Sequence, residues 1–138
     1  MSEKRVDLFG LRVDDISLSQ CTFLANESLK SKERRVFFTP NLEMLAGARR
    51  SEGICRMLNE SSLSLPDGIG IKIVSRLLGI KIENTVLGID FGEELMRIAN
   101  ERGYRVFLLG GGEGVAEKAA KNLKARYKGI EICGTSQG

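Results

Sequence analysis

Histidine is absent from the 138 residues, and that lack removes Ser-His-Asp and Cys-His nucleophilic catalysis together with histidine-metal chemistry. Acid-base work in this chain falls to carboxylates, Lys, Tyr or Cys. Cysteine is scarce: Cys21, Cys55 and Cys133 are odd in number, far apart and without a CxxC pair. That pattern excludes a disulfide framework and a zinc site, and it reads as reduced, mostly buried side chains of a cytosolic protein. The Met-Ser-Glu-Lys-Arg-Val start lacks an apolar h-region, and no apolar run approaches membrane-spanning length, so neither secretion nor a transmembrane anchor is expected. There is no Asp-x-Asp triplet or other carboxylate cluster, so no metal and no cofactor are expected. The lysine-containing P-loop is missing too, which excludes ATP hydrolysis of that type.

The chain does have a core's worth of apolar residues, at 42%, in a length that suits one domain, read here as a single α/β domain over 1–138. Its 21 basic and 18 acidic residues are spread along the sequence, so no nucleic-acid stripe arises and no nucleic-acid partner is expected. The mild basic bias is compatible with phosphorylated small molecules or an anionic membrane surface, and it selects neither.

Val6–Gly10 and Leu11–Val13 alternate and turn at a glycine, which predicts a small N-terminal hairpin. Asp14-Asp15 reads as a solvated turn. Ser17 with Gln20 forms a capping-box pattern for a helix to about Lys30. Arg35–Thr39 is a β-favouring run closed by Pro40, and Asn41 and Ser51 are natural caps for two further helices. Leu63–Leu65 predicts a brief strand, Ile69–Leu78 a helix stopping at Gly79, and Asp90 with Glu93 a second capping pattern for a helix ending at Gly103. Tyr104–Leu109 is a strong strand. A helix from Val115 to Tyr127, with Lys118, Lys121, Lys124 and Arg126 on its wet face, then leads to a last strand, Ile130–Thr135. Alternating short apolar strands and amphipathic helices imply a Rossmann-like α/β fold, a mainly parallel sheet covered on both faces.

Ligands in such sheets bind beyond the carboxyl ends of the strands. Thr39 and Asn41, Asp67, Gly110 to Gly112, and Thr135 each follow a predicted strand, so they are expected to gather on one edge. In Leu65-Pro66-Asp67-Gly68-Ile69-Gly70 a carboxylate sits between a locked residue and a free one, placed to accept a proton from a substrate hydroxyl; a turn with Asp67 as a helix cap is the plainer reading. Gly110-Gly111-Gly112-Glu113-Gly114 follows a strand and opens a helix, where free N–H groups favour phosphate, though a glycine cluster also serves tight strand-helix packing. Glu131 lies inside a predicted strand and not at its end, so NAD fits poorly. Thr39-Pro40-Asn41 offers a hydroxyl and an amide for a sugar or nucleobase, with Asn41 as helix cap the alternative.

Thr39-Pro40-Asn41-Leu42-Glu43, Pro66-Asp67-Gly68-Ile69-Gly70, Gly88-Ile89-Asp90 and Leu109-Gly110-Gly111-Gly112, in this order and spacing, resemble the WecG/TagA/CpsF family of bacterial glycosyltransferases over essentially the whole length. The resemblance implies transfer of N-acetylmannosamine or a related sugar from a UDP donor to undecaprenyl-diphosphate-linked GlcNAc, with inversion, in teichoic acid or surface polysaccharide synthesis at the inner membrane face. It implies Asp67 as catalytic base and Thr39, Asn41, Gly68, Asp90, Gly110, Gly111, Gly112, Glu113 and Thr135 as substrate-binding residues, the glycine loop holding the UDP part. An inverting transfer needs a carboxylate to take the hydroxyl proton and donors to stabilise the departing diphosphate. Thr85 stands where family members usually carry an arginine, which removes one polar contact. Related chains also continue past the position matching Gly138 into further elements that complete the donor site and a membrane-contacting tail. Weak or no transferase activity from this chain alone is therefore expected, as is self-association or a complementing chain. The competing expectations are a non-catalytic nucleotide-binding or assembly module and, less favoured, a Rossmann oxidoreductase.

Overall fold

The protein is described from a computed structural model over residues 4–138. Among those residues lie six strands and six helices: β1 (Lys4–Leu8), β2 (Leu11–Asp15), α1 (Leu18–Ser31), β3 (Phe37–Phe38), α2 (Leu42–Arg50), α3 (Glu52–Asn59), β4 (Leu63–Ser64), α4 (Gly68–Leu77), α5 (Gly88–Arg102), β5 (Arg105–Leu109), α6 (Val115–Arg126) and β6 (Glu131–Ser136). The chain divides into two compact units, Met1–Phe91 and Gly92–Gly138.

In the first unit β1 and β2 form the expected hairpin, antiparallel from Lys4↔Asp15 to Leu8↔Leu11. Its two-residue turn places Phe9 at φ 57° and Gly10 at φ 90°, the double left-handed geometry that matches strand twist. The Arg49 guanidinium stacks 4.5 Å from the Phe9 ring centroid. Leu8, Leu11 and Val13 of the hairpin are buried with Leu45, Ala48, Leu58, Ile71 and Ile82 to make the core.

Each predicted cap in this unit that rests on a hydroxyl or amide is made. Ser17 and Gln20 close a full capping box on α1, Asn41 Oδ1 accepts from Met44 N–H at 3.0 Å, and Ser51 Oγ accepts from Ile54 N–H at 3.3 Å. Such bonds satisfy first-turn amides that have no partner within the helix. β3 and β4 pair in parallel through Phe37↔Leu63 and Phe38↔Ser64 alone, a shorter ladder than the apolar runs suggest. Gly70 carries no side chain because a Cβ there would lie 2.5 Å from Leu42 Cδ1, so α4 and α2 approach closely at that point.

Two sequence expectations are corrected here. Asp14 and Asp15 are not a solvated turn: both lie in β2 and are buried. Asp14 accepts from Arg5 Nε at 2.6 Å and from the Ser64 backbone N–H at 2.7 Å. Asp15 accepts from the Glu83 and Asn84 backbone N–H groups at 2.9 and 2.8 Å and from Asn84 Nδ2 at 3.0 Å. Burial pushes the Asp15 carboxyl up, but the hydrogen bonds from Glu83 and Asn84, aided by the Lys4 charge, outweigh it and hold its pKa below the ordinary value. Asp90 with Glu93 does not cap α5, because that helix begins earlier, at Gly88, and Asp90 lies within its first turn.

The second unit contains the parallel pair β5 and β6, from Arg105↔Glu131 to Leu109↔Ser136, with Ile98, Ala99, Ala116, Ala120 and Ile130 buried. A register shift between Val106 and Phe107 sets Phe107 opposite Gly134 and skips Cys133. The bulge leaves Cys133 exposed, unlike the mostly buried cysteines expected, while Cys21 is buried and Cys55 partly so. It also demands the glycine, since a Cβ on Gly134 would lie 2.6 Å from the Phe107 ring. Lys118, Lys121, Lys124 and Arg126 are exposed on α6 as expected. The described strands thus form an α/β arrangement of three two-stranded ladders, two of them parallel, and none of its helices is long and apolar enough to cross a membrane.

Candidate functional site

Among the polar groups of the first unit, one cluster lies at the end of a parallel ladder and is centred on Asp67. β4 delivers the chain to Leu65, whose N–H donates to Phe38 O at 2.8 Å, and Asp67 N–H donates to Pro40 O at 3.0 Å. The stretch Leu65–Asp67 therefore runs beside Phe38–Pro40, with Pro40, Leu65 and Pro66 buried. Asp67 occupies the N-cap position of α4, yet its side chain makes no cap hydrogen bond there. The ordinary helix-cap reading of Pro-Asp-Gly fails.

Asp67 Oδ2 instead accepts from the Gly88 N–H at 3.2 Å, at the start of α5. Gly88 is brought there by Val86, whose N–H donates to Pro66 O at 3.0 Å. A Cβ on Gly88 would lie 2.8 Å from Thr39 Oγ1 and 3.3 Å from Asp67 Oδ2, so Thr39, Asp67 and the Gly88 backbone form one close-packed group that a side chain would wedge apart. Asp67 Oδ1 and Thr39 Oγ1 accept no hydrogen bond among the described residues, and both residues are partly exposed. A half-buried carboxylate with one oxygen oriented by a backbone amide and the other free is suited to receiving a proton.

The other sequence candidates of this unit sit differently. Asn41 is exposed and its Oδ1 is spent on the α2 cap, as its alternative reading held, leaving its amide nitrogen unengaged among the described residues. Gly68 opens α4 at φ 82°, a left-handed backbone that suits glycine. Asp90 is exposed in the first turn of α5, where a carboxylate complements the helix dipole. Thr85 is exposed in the stretch before α5 that contains neither helix nor strand. Gly88 is the residue that sequence reasoning missed. It was quoted within Gly88-Ile89-Asp90, but only the fold shows that its lack of a side chain makes room for Thr39 and Asp67.

In the second unit the glycine loop turns as its composition demands, with Gly110, Gly111 and Gly114 at φ 128°, 76° and 76°. Gly114 occupies the N-cap position of α6 and offers no side-chain cap, so first-turn amides of α6 have no side-chain partner there. Gly110 N–H donates to Ser136 O at 3.0 Å and Gly138 N–H to Gly111 O at 3.2 Å, tying the loop to the end of β6. A hollow of about 390 Å³ is lined by Leu109, Gly110, Gly111, Val115 and Ala119 among others. Gly112 and Glu113 are exposed at the loop's tip. Thr135 does not follow a strand: it lies within β6 opposite Leu108, and its hydroxyl donates to Glu117 Oε1 on α6 at 3.4 Å.

Comparison with known proteins adds the decisive observation. Residues 6–138 match the model of the glycosyl transferase WecG/TagA/CpsF family. The chain belongs to this family. Similar relatives carry the name N-acetylglucosaminyldiphosphoundecaprenol N-acetyl-beta-D-mannosaminyltransferase. The protein of Bacillus subtilis strain 168 is 30% identical over 116 residues, 84% of this chain and 45% of the relative. Those of Bacillus spizizenii and Staphylococcus aureus strain NCTC 8325 are each 29% identical, over 91% and 93% of this chain and 49% and 51% of the relatives. The chain thus spans about half the length of the curated relatives it matches. The family match runs across the Asp67 cluster and the glycine loop alike, and so includes every candidate site residue named from the sequence.

Proposed function

We propose that this chain carries the proton-accepting half of a sugar-transfer site, with Asp67 as the base. In this reading a UDP-linked N-acetylmannosamine or related sugar is the donor and undecaprenyl-diphosphate-linked GlcNAc the acceptor, the acceptor's class taken from the relatives' names. The acceptor hydroxyl oxygen bonds to the anomeric carbon, the bond to the UDP oxygen breaks with its electron pair leaving on UDP, and the hydroxyl proton passes to Asp67. Attack from the face opposite the leaving group inverts the anomeric centre.

The observation that carries this reading is the orientation of Asp67. Its Oδ2 is held by Gly88 N–H, while Oδ1 accepts no hydrogen bond among the described residues, which suits one oxygen for positioning and the other for the proton. Membership of the family supports the reaction class. The same reading takes Thr39, Asn41, Gly68 and Asp90 as contacts for the sugars, Gly110 to Gly112 with Glu113 and Thr135 as the nucleotide side, and the fold as Rossmann-like. It further includes peripheral contact with the inner membrane face and assembly with a second copy or a complementing chain. Asp67→Asn tests the base: it is expected to leave UDP binding by calorimetry unchanged and to lower the transfer to a GlcNAc-diphospholipid that the parent chain supports together with its complementing chain by roughly 10²–10⁴-fold, the ordinary contribution of a general base. Full activity in that variant would sink the assignment. NAD binding in preference to UDP would sink the donor assignment.

A further inference from the structure

The buried carboxylates of β2 stand next to one another in sequence and hold two different stretches of backbone. Successive side chains of a strand point to opposite faces, so Asp14 and Asp15 reach opposite ways from Cα atoms fixed about 3.8 Å apart. Asp14 Oδ2 accepts from Ser64 N–H at 2.7 Å, and Ser64 lies three residues before Asp67 in the sequence. Asp15 takes the Glu83 and Asn84 N–H groups at 2.9 and 2.8 Å, and Asn84 lies four residues before Gly88.

The stretch from Ile80 to Leu87 has neither helix nor strand, so its amides depend on partners elsewhere. Asp15 supplies two of them with charge-assisted bonds, which are stronger than neutral ones. Ile82 and Val86 are buried on either side of that anchor, and Val86 N–H then bonds Pro66 O at 3.0 Å immediately before Gly88 meets Asp67. Both ends of the Asp67–Gly88 hydrogen bond are therefore tethered, within a few residues, to adjacent positions of one strand.

We propose that Asp14 and Asp15 form a clamp that sets the Asp67–Gly88 geometry, with Asp15 the positioning residue that fixes the Gly88 N–H against the carboxylate. The clamp rests on the reading of Asp67 as base for its functional meaning, but its geometry does not. Asp15 touches no substrate in this account and acts through the 83–88 backbone.

Amide hydrogen exchange and proton chemical shifts of the 15N-labelled chain test this with Asp15→Ala and Asp15→Asn. In Asp15→Ala, protection is expected to fall about tenfold at Val86 and Gly88 as well as at Glu83 and Asn84, while amides of α1 and of the Val6↔Val13 region keep theirs. The downfield shift that the Asp67 carboxylate gives the hydrogen-bonded Gly88 amide proton in the parent chain is expected to fall by more than half. Asp15→Asn keeps one carbonyl acceptor and is expected to restore part of both signals; if Asp15→Ala does not fold, Asp15→Asn is compared directly with the parent, and an unchanged Gly88 signal in it overturns the clamp. Unchanged Gly88 and Val86 signals in a folded Asp15→Ala overturn it too, as does a loss of protection that is uniform along the chain. None of these signals involves sugar transfer, so the clamp and the base assignment, which Asp67→Asn decides, fail separately.

Discussion

Gly88→Ala places a single methyl group where the candidate site has no room. Its Cβ would stand 2.8 Å from Thr39 Oγ1 and 3.3 Å from both Thr39 Cβ and Asp67 Oδ2, all inside ordinary van der Waals contact. Thr39 cannot swing aside freely, because it is β-branched and stiff at χ1 and precedes the buried Pro40. Overpacking of this kind costs about 1–3 kcal/mol. Against it stands the helix-propensity gain of Ala over Gly, up to about 1 kcal/mol in a helix interior and smaller at the first residue of α5. The net expectation is a loss of about 1 kcal/mol, which is a few degrees in Tm for a chain of this size. Gly92, on the same helix, has nothing within 4 Å of its Cβ position, so Gly92→Ala is expected to gain about 0.5–1 kcal/mol. Urea denaturation followed by far-UV circular dichroism reads both variants, with an unchanged m-value as the check that only native-state stability moved. Thr39→Ala added to Gly88→Ala is expected to recover part of the loss, since the two sites share one contact. A Gly88→Ala variant as stable as the parent, or no less stable than Gly92→Ala, would refute the reasoning.

The remaining expectations concern titration and thiol chemistry. The Asp15 pKa is lowered in the folded chain, so its contribution to stability is fully present above its unfolded pKa and is lost as the pH falls through its folded value; the stability gap between the parent and Asp15→Asn is expected to narrow below about pH 4, and a gap independent of pH between 5 and 3 would contradict the hydrogen bonds assigned to it. Burial pushes the Cys21 thiol from 9.0 up to about 11, leaving roughly one thiolate in a thousand at pH 8. Cys133 is exposed, so a chromogenic disulfide reagent is expected to label it first and Cys21 only on unfolding, with mass spectrometry of the labelled peptides as the check.

Local chemistry made much of the fold legible. Ser17 with Gln20, Asn41 and Ser51 each start a helix where their side-chain oxygens meet first-turn amides, because a cap is decided within four residues of chain. The hairpin was equally local, since Gly10 supplies the left-handed turn and the apolar alternation sets the register. Where long-range contacts decide, the same reading went astray. α5 starts at Gly88 although glycine is a poor helix former, because the Gly88 N–H finds its partner in Asp67, a residue 21 positions away. β6 runs one residue past the expected Thr135, to Ser136, because a bulge at Cys133 offsets the pairing with β5.

The candidate site divides in the same way, and the division explains its chemistry. Asp67 stood out because Pro66 and Gly68 flank it, and those neighbours do shape its backbone: Asp67 stays extended at φ −90° and ψ 116° while Gly68 turns left-handed at φ 82°. A local reading makes that a cap for α4, but the side chain makes no cap bond there. It crosses to α5, where a helix N-terminus favours a negative group, and one oxygen remains over. Nothing within Leu65–Gly70 encodes that choice. It requires the 83–88 backbone to arrive at the right place, and the residues that bring it there are a pair of acids in β2 that read, from composition alone, as wet. Buried acids met by backbone and side-chain donors cost much less than unpaired ones, so their burial is tolerable because they hold the stretches that end at Asp67 and Gly88. A carboxylate free on one oxygen at the surface of the unit is thus maintained by two that are satisfied beneath it.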